Sequence, residues 1–313
     1  YDVDAGHLKY ARQGGGVWTS ETVDASPGTG LYTSLALDST AAAHISYQDG
    51  YEFDLKYAFR SPAGWQIETV DAGGEVGAHT AIAVDGAGRP HISYYDATAQ
   101  TVKHATPGAS GWILESIEPV GPTTATALAL DAAGAVHIAY VAGQGAAALR
   151  YASRLDDGWQ IETVTAAGDL GGRIGLAFDA GNVPYISYYD FASRRVLVAH
   201  REPTGWAVQV VADGVGESQT TLALDRSGAV LIAFYDAAAG DLKFARTGAE
   251  AGSWDIASIV GAGDVGAYPS LKLDAAGRPW ISFHDVTNGD LLIARGPDEA
   301  RAILLPLLLR SGR

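Results

Sequence analysis

The chain contains no cysteine and no methionine. The absence of cysteine excludes disulfide bridges, thiolate catalysis and cysteine-ligated zinc sites. Only 18% of the 313 residues are charged, and the net charge is −15. Because an acidic surface repels phosphate backbones, we expect no nucleic-acid partner. No apolar run is long enough to cross a bilayer, so we also expect no transmembrane segment.

Familiar catalytic signatures are missing as well. The sequence has no HExxH pair, no GxSxG elbow, no Walker loop and no dinucleotide fingerprint. Three of its eight histidines, His44, His91 and His137, recur at equivalent positions of an internal repeat. We interpret them as partly buried strand residues. These absences predict a protein that is not an enzyme.

What the sequence does contain is a long internal repeat. Its period is marked by tryptophans at spacings of 47, 47, 47, 47 and 48 residues: Trp18, Trp65, Trp112, Trp159, Trp206 and Trp254. Each period holds four short β-type runs. In the clearest copy these are Ala81–Asp85, His91–Asp96, Thr101–Ala105 and a run that begins at Trp112. The turn after the first run opens with Asp, which bonds backbone N–H groups ahead of it, and Gly supplies a positive φ.

Four short strands in each unit of about 40–50 residues, repeated around six times, are typical of propeller blades. The sequence therefore predicts an all-β protein, a six-bladed β-propeller of four-stranded antiparallel blades over residues 1–295. The alternative is a seven-bladed propeller with an incomplete N-terminal blade. In the six-bladed scheme Trp18–Val23 supplies the fourth strand of the last blade; in the other scheme the C-terminal tail supplies it.

The tail, residues 296–313, lies outside the repeat and is strongly apolar. Its apolar run contains Leu304, Leu305, Pro306, Leu307, Leu308 and Leu309. Three roles remain open for it: a closing strand, a sorting or surface-attachment tail, or a strand donated to a neighbour during assembly.

Charged residues recur within the repeat in two patterns. A basic residue of the third run is followed twelve positions later by Glu, as in Lys56 with Glu68 and Lys103 with Glu115. This offset predicts a cross-strand ion pair within each blade. Carboxylates also end the second run or precede the next blade: Asp49, Asp96, Asp190, Asp236, Asp285, Glu75, Asp169 and Asp264.

In a propeller these two kinds of loop emerge on the same face, where Tyr95 and Tyr189 also lie. Carboxylates beside aromatic rings suit calcium or carbohydrate, so these residues are our candidate ligand site. Asp also favours loop starts, and a purely structural role stays open. Apart from possible calcium, no cofactor is expected, and the sequence leaves any metal site unknown.

The repeat resembles bacterial extracellular propeller repeats of the form SLALDxxGxPHISYYDxxxGDLKYA followed by GxWxxETVD. The clearest copies are Ala81–Ala105 with Trp112, and Ser270–Ala294. The resemblance implies a secreted or cell-surface protein. It does not specify a function, because propellers include lectins, hydrolases, lyases and passive scaffolds.

We therefore expect a non-enzymatic scaffold that binds protein partners or assembles with itself. The alternative is a multivalent carbohydrate-binding propeller with glycan partners. A propeller hydrolase or lyase is the second alternative.

Overall fold

The computed structural model describes residues 1–123, 125–143, 147–296 and 303–305, and every regular element among them is a β-strand. The chain starts with a hairpin, a two-stranded sheet of β1 (Leu8–Gly14) and β2 (Val17–Asp24). Within the described part of the chain, no helix is long and apolar enough to span a bilayer.

Six four-stranded antiparallel sheets follow, each with its strands in chain order. Blade 1 consists of β3 (Thr29–Leu37), β4 (Ala43–Asp49), β5 (Leu55–Ser61) and β6 (Gly64–Asp71). Blade 2 consists of β7 (Val76–Val84), β8 (Pro90–Asp96), β9 (Thr101–Gly108) and β10 (Gly111–Pro119). Blade 3 consists of β11 (Thr126–Leu130), β12 (Val136–Ala142), β13 (Ala147–Leu155) and β14 (Gly158–Gly168).

Blade 4 consists of β15 (Leu170–Phe178), β16 (Pro184–Asp190), β17 (Arg195–Glu202) and β18 (Gly205–Ala212). Blade 5 consists of β19 (Thr220–Leu224), β20 (Val230–Asp236), β21 (Asp241–Thr247) and β22 (Trp254–Val260). Blade 6 consists of β23 (Val265–Leu273), β24 (Pro279–Asp285), β25 (Asp290–Arg295) and β26 (Ile303–Leu305). The prediction of an all-β, six-bladed β-propeller with four-stranded antiparallel blades is confirmed.

The fourth strand of blade 6 differs from the favoured expectation. Trp18–Val23 does not complete blade 6, because it pairs with β1 in the separate N-terminal hairpin. Instead the backbone of β26 pairs with β25, with Leu304 opposite Ala294 and Leu305 opposite Ile293. This pairing occupies the edge that the N-terminal strand would need. The other residues assigned to the tail, Pro306 to Leu309, lie outside the described residues.

The described residues form two compact units. The first contains the hairpin, blades 1 and 2, and β11 and β12; the second contains blades 4 to 6, and β13 and β14 contribute to both. In the first unit every residue of β4 and of β8 is buried. Neighbouring sheets cover both faces of such a strand. On the hairpin side, Leu8 and Val23 pack with Tyr47 of β4. A second cluster joins blade 1 to blade 2.

The second unit is built in the same way. Phe234 of β20 is fully buried and packs with Tyr189 and Val196 of blade 4. On the other side of blade 5, Leu242 packs with Leu271 and Phe283 of blade 6. Apolar residues thus fill the space between consecutive sheets, which a lone blade would leave open to water.

The turn between the first and second strands has the same hydrogen bonds in all six blades. One carboxylate oxygen of the opening Asp accepts the backbone N–H groups two and four residues ahead, as Asp85 does from Ala87 at 2.9 Å and Arg89 at 2.8 Å. The other copies open at Asp38, Asp131, Asp179, Asp225 and Asp274. The predicted Asp turn is confirmed.

The fourth residue of this turn has a left-handed backbone, which four copies fill with Gly and blade 4 fills with Asn182. Blade 1 has Ala41 there, at φ 63°. Because a side chain in this region costs roughly 1–2 kcal/mol, we expect Ala41→Gly to raise the free energy of unfolding by about 0.5–1 kcal/mol. Urea denaturation followed by tryptophan fluorescence measures this.

The matched control is Gly88→Ala in blade 2, at φ 81°, where an added Cβ would meet no atom within 4 Å. We expect this change to lower stability by about 1–2 kcal/mol, from backbone conformation alone. Changes of the same sign at both positions would contradict the explanation.

Candidate functional site

The carboxylates at the ends of the second strands are engaged within their own turns. Asp49 is buried and accepts the N–H of Tyr51 at 2.9 Å, while its other oxygen lies 2.9 Å from Lys56 Nζ. Burial alone would raise the pKa of Asp49, but the hydrogen bonds from Lys56 and the backbone lower it below the ordinary value. Asp190 and Asp285 likewise bond residues of their own turns, Ser193 and Asn288.

Asp236 follows the same scheme and adds a bond to the loop that leads into its own blade. Its side chain accepts the N–H of Gly216 at 2.8 Å and lies 2.6 Å from Lys243 Nζ. In blade 2, Lys103 Nζ lies 2.9 Å from Asp96 and 3.0 Å from Asp71, and Asp71 also accepts the hydroxyl of Tyr94 at 2.7 Å. We assign these carboxylates a structural role.

The remaining candidates from the sequence are dispersed. Glu75 and Asp169 are exposed, and their backbone carbonyls accept bonds from the next turn. The side chain of Asp264 accepts the hydroxyl of Tyr235. Tyr95 and Tyr189 are buried, and their hydroxyls donate at 2.9 Å to the carbonyls of Gly121 and Val215. These two tyrosines therefore tie one blade to the loop of the next.

The sequence allows calcium at these carboxylates. Among residues 1–123, 125–143, 147–296 and 303–305, no group of three or more His, Asp or Glu side chains is placed to hold a metal ion.

The predicted ion pair between the third and fourth strands is wrong in blades 1 and 2. Glu68 lies opposite Tyr57, and Lys56 lies opposite Thr69, because a β-bulge at Leu55 shifts the register by one residue. A shift of one places the two charged side chains on opposite faces of the sheet. In blades 1, 2 and 5 the lysine of the third strand pairs instead with the Asp seven positions before it, as Lys56 does with Asp49.

The glutamates point to the neighbouring sheet, and there they form part of an interblade cleft. Cleft A lies between the hairpin and blade 1 and consists of Tyr10, Glu21, Arg60 and Trp65. Arg60 Nε lies 2.9 Å from Glu21 Oε1, and the guanidinium carbon is 5.7 Å from the ring centre of Trp65. Trp65 meets Tyr10 edge-on, with ring centres 5.2 Å apart.

Cleft C, between blades 2 and 3, repeats this arrangement with His104, Glu115, Arg154 and Trp159. Arg154 binds both carboxylate oxygens of Glu115, Nη2 at 2.8 Å and Nε at 3.3 Å. Trp159 meets the ring of His104 edge-on at 5.4 Å. Both Arg154 and Glu115 remain part-exposed, at 33% and 26% of their side-chain surface.

Burial and hydrogen bonds together set the ionisation of cleft C. Burial lowers the pKa of His104 to about 4, so this imidazole is neutral at pH 7. Its Nδ1 lies 3.1 Å from Glu115, and because a carboxylate only accepts, Nδ1 carries the proton. For Glu115, burial acts to raise the pKa, but bonds from Arg154 and His104 bring it below the ordinary value. The cleft thus presents a fixed anion beside a fixed cation.

Cleft B, between blades 1 and 2, lacks the arginine. Pro107 lies opposite Trp112, in the position that Arg60 occupies opposite Trp65. The indole Nε1 of Trp112 consequently donates to Glu68 at 2.9 Å. Among the described residues, the indole N–H groups of Trp65 and Trp159 have no acceptor.

Cleft D, between blades 4 and 5, contains a cavity of about 450 Å³. Tyr185, His200, Gln209 and Trp254 line it together with the loop 247–253. His200 stacks on Tyr185 with ring centres 5.3 Å apart and planes 15° apart. Gln209 occupies the position that Glu holds in the other clefts, so this cavity is aromatic and uncharged on that side.

Sequence reasoning did not identify these clefts, although a signal was present. An arginine stands five residues before the tryptophan at Arg60, Arg154 and Arg201. For Arg60 and Arg154, the partner glutamate lies 39 residues before the arginine, in the preceding sheet. The expected position of the three repeat histidines is consistent with the structure, since His44 and His91 are buried in β4 and β8.

No protein-family model matches the chain, and no curated protein does either. Solved structures match it in fold. AofleA from Arthrobotrys oligospora aligns with a TM-score of 0.57 at 16% identity, over 83% of this chain and 81% of its own. Aleuria aurantia lectin in complex with Fucα1-6GlcNAc aligns with a TM-score of 0.58 at 12% identity, over 90% and 97%.

A polysaccharide lyase of family PL25, an ulvan lyase, aligns with a TM-score of 0.60 at 14% identity, over 86% of this chain and 81% of its own. The Aleuria lectin is described as a six-bladed β-propeller. At these identities the likeness concerns the fold, and it agrees with the six blades found in this chain.

Proposed function

We propose that this protein is a non-enzymatic, multivalent carbohydrate-binding propeller, with clefts A, C and D as its sugar sites. The observation that carries the proposal is the Glu–Arg pair beside a half-buried tryptophan, built twice from neighbouring sheets in cleft A and cleft C. This favours the carbohydrate-binding alternative over the assembly scaffold that the sequence first suggested.

The chemistry of the clefts suits a sugar ring. A guanidinium donates to hydroxyl oxygens, and the carboxylate beside it accepts from hydroxyl hydrogens, so one pair can bind two adjacent hydroxyls. The tryptophan offers apolar surface to the C–H groups of the ring. Because Arg60 and Glu21 already hold each other in place, little ordering is needed when a ligand binds.

The structural neighbours supply the first ligand to test. The Aleuria lectin structures are described as fucose-specific and as complexes with α-methyl-L-fucoside. We therefore choose α-methyl-L-fucoside as the first probe, followed by a glycan array for other sugars.

The test is isothermal titration of the intact chain and of the variants Arg60→Gln and Arg154→Gln. Each variant is expected to lose one binding site, because a hydrogen bond from a charged group is worth about 1.5–3 kcal/mol, roughly a 10–100-fold loss of affinity. The matched control is Arg89→Gln, which removes an exposed Arg–Asp pair in a turn away from the clefts. We expect this control to bind like the parent chain.

Two outcomes would contradict the proposal. One is the absence of any sugar binding across the array, and the other is equal binding by the parent and both cleft variants. Release of oligosaccharides from a polysaccharide would favour the hydrolase or lyase alternative. The secreted or cell-surface location and self-assembly through the tail stay predictions, which fractionation and light scattering test.

A further inference from the structure

Two cationic side chains on the first strands of the second unit have no polar partner in the part of the chain that the structure describes. Arg173 lies in β15 and Lys272 in β23, and both side chains are exposed. Among the described residues, neither forms an ion pair or a side-chain hydrogen bond. Lys243 and Arg195 of the same unit, by contrast, both pair with aspartates. In a chain with a net charge of −15, two unneutralised cations on one kind of strand indicate a place for anions.

Two hydrogen bonds connect the first strands of blades 4 and 6 to the Gln219–Thr220 segment at the start of blade 5. Thr220 Oγ1 donates to the backbone carbonyl of Arg173 at 3.2 Å, and the N–H of Tyr268 donates to Gln219 Oε1 at 2.7 Å. Arg173 and Tyr268 thus flank the Gln219–Thr220 segment on its two sides. Because its oxygen is held by Tyr268, the Gln219 amide directs its N–H donors away from that bond.

Tyr268 lies at a bulge between Ala267 and Ser270 and has a left-handed backbone, with φ 55°. Tyr32 and His79 have the same backbone at the equivalent bulges of blades 1 and 2, so the conformation belongs to the repeat. In blade 6 the bulge leaves 57% of the Tyr268 surface exposed, and the Tyr268 ring acts electrostatically on Arg173.

Lys272 lies farther along the same strand. Tyr268, Ser270 and Lys272 are exposed, while Leu271 between them is buried, so the exposed residues share one face. Four residues of strand separate Tyr268 from Lys272 by roughly 13 Å. The nearby carboxylate of Asp274 does not neutralise Lys272, because it holds Arg278 Nε at 2.7 Å.

Both cations are crowded by protein although they keep exposed surface. Burial lowers the pKa of Arg173 and of Lys272 below their ordinary values, and the field of Tyr268 opposes this in Arg173. A bound anion would compensate for the water that each cation has lost.

We infer that the first-strand face of the second unit, formed by Arg173, Gln219, Tyr268 and Lys272, binds an acidic oligosaccharide. Arg173 and Lys272 bind carboxylates of two different sugar units, Gln219 donates to a hydroxyl, and Tyr268 packs against a sugar ring. Because Lys272 lies roughly 13 Å from Tyr268 along β23, a chain of several uronate units suits this face better than a single one. This site is separate from clefts A, C and D and does not depend on them.

The test is titration of the intact chain with tetragalacturonate, monomeric galacturonate and neutral maltotetraose. We expect binding of the tetramer only, weakening as NaCl is raised. Arg173→Gln and Lys272→Gln are each expected to weaken binding about tenfold, and the double variant to abolish it. The control Arg12→Gln removes the same charge from an exposed position on the hairpin and should leave binding unchanged.

Unchanged tetramer binding in the double variant, with thermal melting like the parent chain, would overturn the site. So would absence of tetramer binding in the parent. Equal affinity for the monomer and the tetramer would overturn the extended-glycan assignment, because a free carboxylate would then suffice. Titration of the double variant with α-methyl-L-fucoside tests the clefts separately from this site. Fucoside binding to the clefts should be retained in the double variant, whether or not the acidic tetramer binds.

Discussion

Replacing Lys103 by Met is expected to lower the free energy of unfolding by about 3–5 kcal/mol. The Lys103 ammonium lies 3.0 Å from Asp71 and 2.9 Å from Asp96, and these two carboxylates expose only 5% and 3% of their side chains. Without the lysine, two negative charges remain buried side by side. In the parent chain, hydrogen bonds from Tyr94 and Lys103 lower the pKa of Asp71 although burial acts to raise it. Without Lys103, the effect of burial on this pKa is expected to prevail.

Lys56→Met is the matched control, because among the described residues Lys56 forms an ion pair with one carboxylate, that of Asp49 at 2.9 Å. We expect it to cost clearly less, since Asp49 retains the backbone N–H groups of Tyr51 and Glu52. Chemical denaturation at pH 7 measures both variants. If Lys103→Met lowers the free energy of unfolding no more than Lys56→Met does, the explanation that Lys103 neutralises two buried carboxylates is contradicted.

The pH dependence of the two chains should also differ. In the parent chain the lowered pKa of Asp71 adds to the free energy of unfolding at pH values above 3.8, the ordinary pKa of this group. That contribution is lost as the pH falls towards the lowered pKa of the folded state. In Lys103→Met the folded-state pKa of Asp71 rises, so protonation relieves the buried charge. The stability gap between parent and variant is therefore expected to narrow from pH 7 towards pH 4, and a constant gap would exclude this cause.

Gly266→Ala is expected to cost about 4 kcal/mol, the sum of an unfavourable backbone and a steric clash. Gly266 has φ 114°, and an added Cβ would lie 2.7 Å from the backbone N and Cα of Leu242 in the preceding blade. Leu242 is fully buried and has no space to move. This glycine lets the first strand of blade 6 approach the third strand of blade 5.

The chain offers both a graded series and a control for this prediction. The equivalent contacts are 3.0 Å from Gly77 to Leu55 and 3.2 Å from Gly30 to Leu8, so alanine should cost progressively less there. Gly64 has φ 125° but nothing within 4 Å of an added Cβ, so Gly64→Ala isolates the backbone part. Equal losses at Gly64 and Gly266, measured by urea denaturation, would show that the contact with Leu242 contributes nothing.

Local patterns were predictable where their causes are local. The six Asp turns follow from side-chain bonds that span only four residues, as at Asp85. The pairing of Lys56 with Glu68 was mispredicted, because a one-residue bulge at Leu55 reverses which face a side chain occupies. Nothing in the spacing of the two residues reveals that bulge.

Contacts between sheets were beyond prediction from spacing. Trp112 reaches Glu68, and Arg154 reaches Glu115, across 44 and 39 residues. The prediction that Trp18–Val23 forms the fourth strand of blade 6 was wrong. The apolar pattern of this strand and that of the tail both suit the free edge of blade 6, and one edge pairs with one strand.

The sequence by itself determined the repeat, the strands and the turns, because alternation of apolar residues and turn chemistry act over a few positions, whereas it left six and seven blades both open. Only the tertiary structure decided which charges meet across neighbouring sheets, which strand completes blade 6, and that the Arg173 and Lys272 side chains lack an ion-pair partner among the described residues. These outcomes depend on packing between sheets, whose register and close approaches are set by bulges and by glycines such as Gly266.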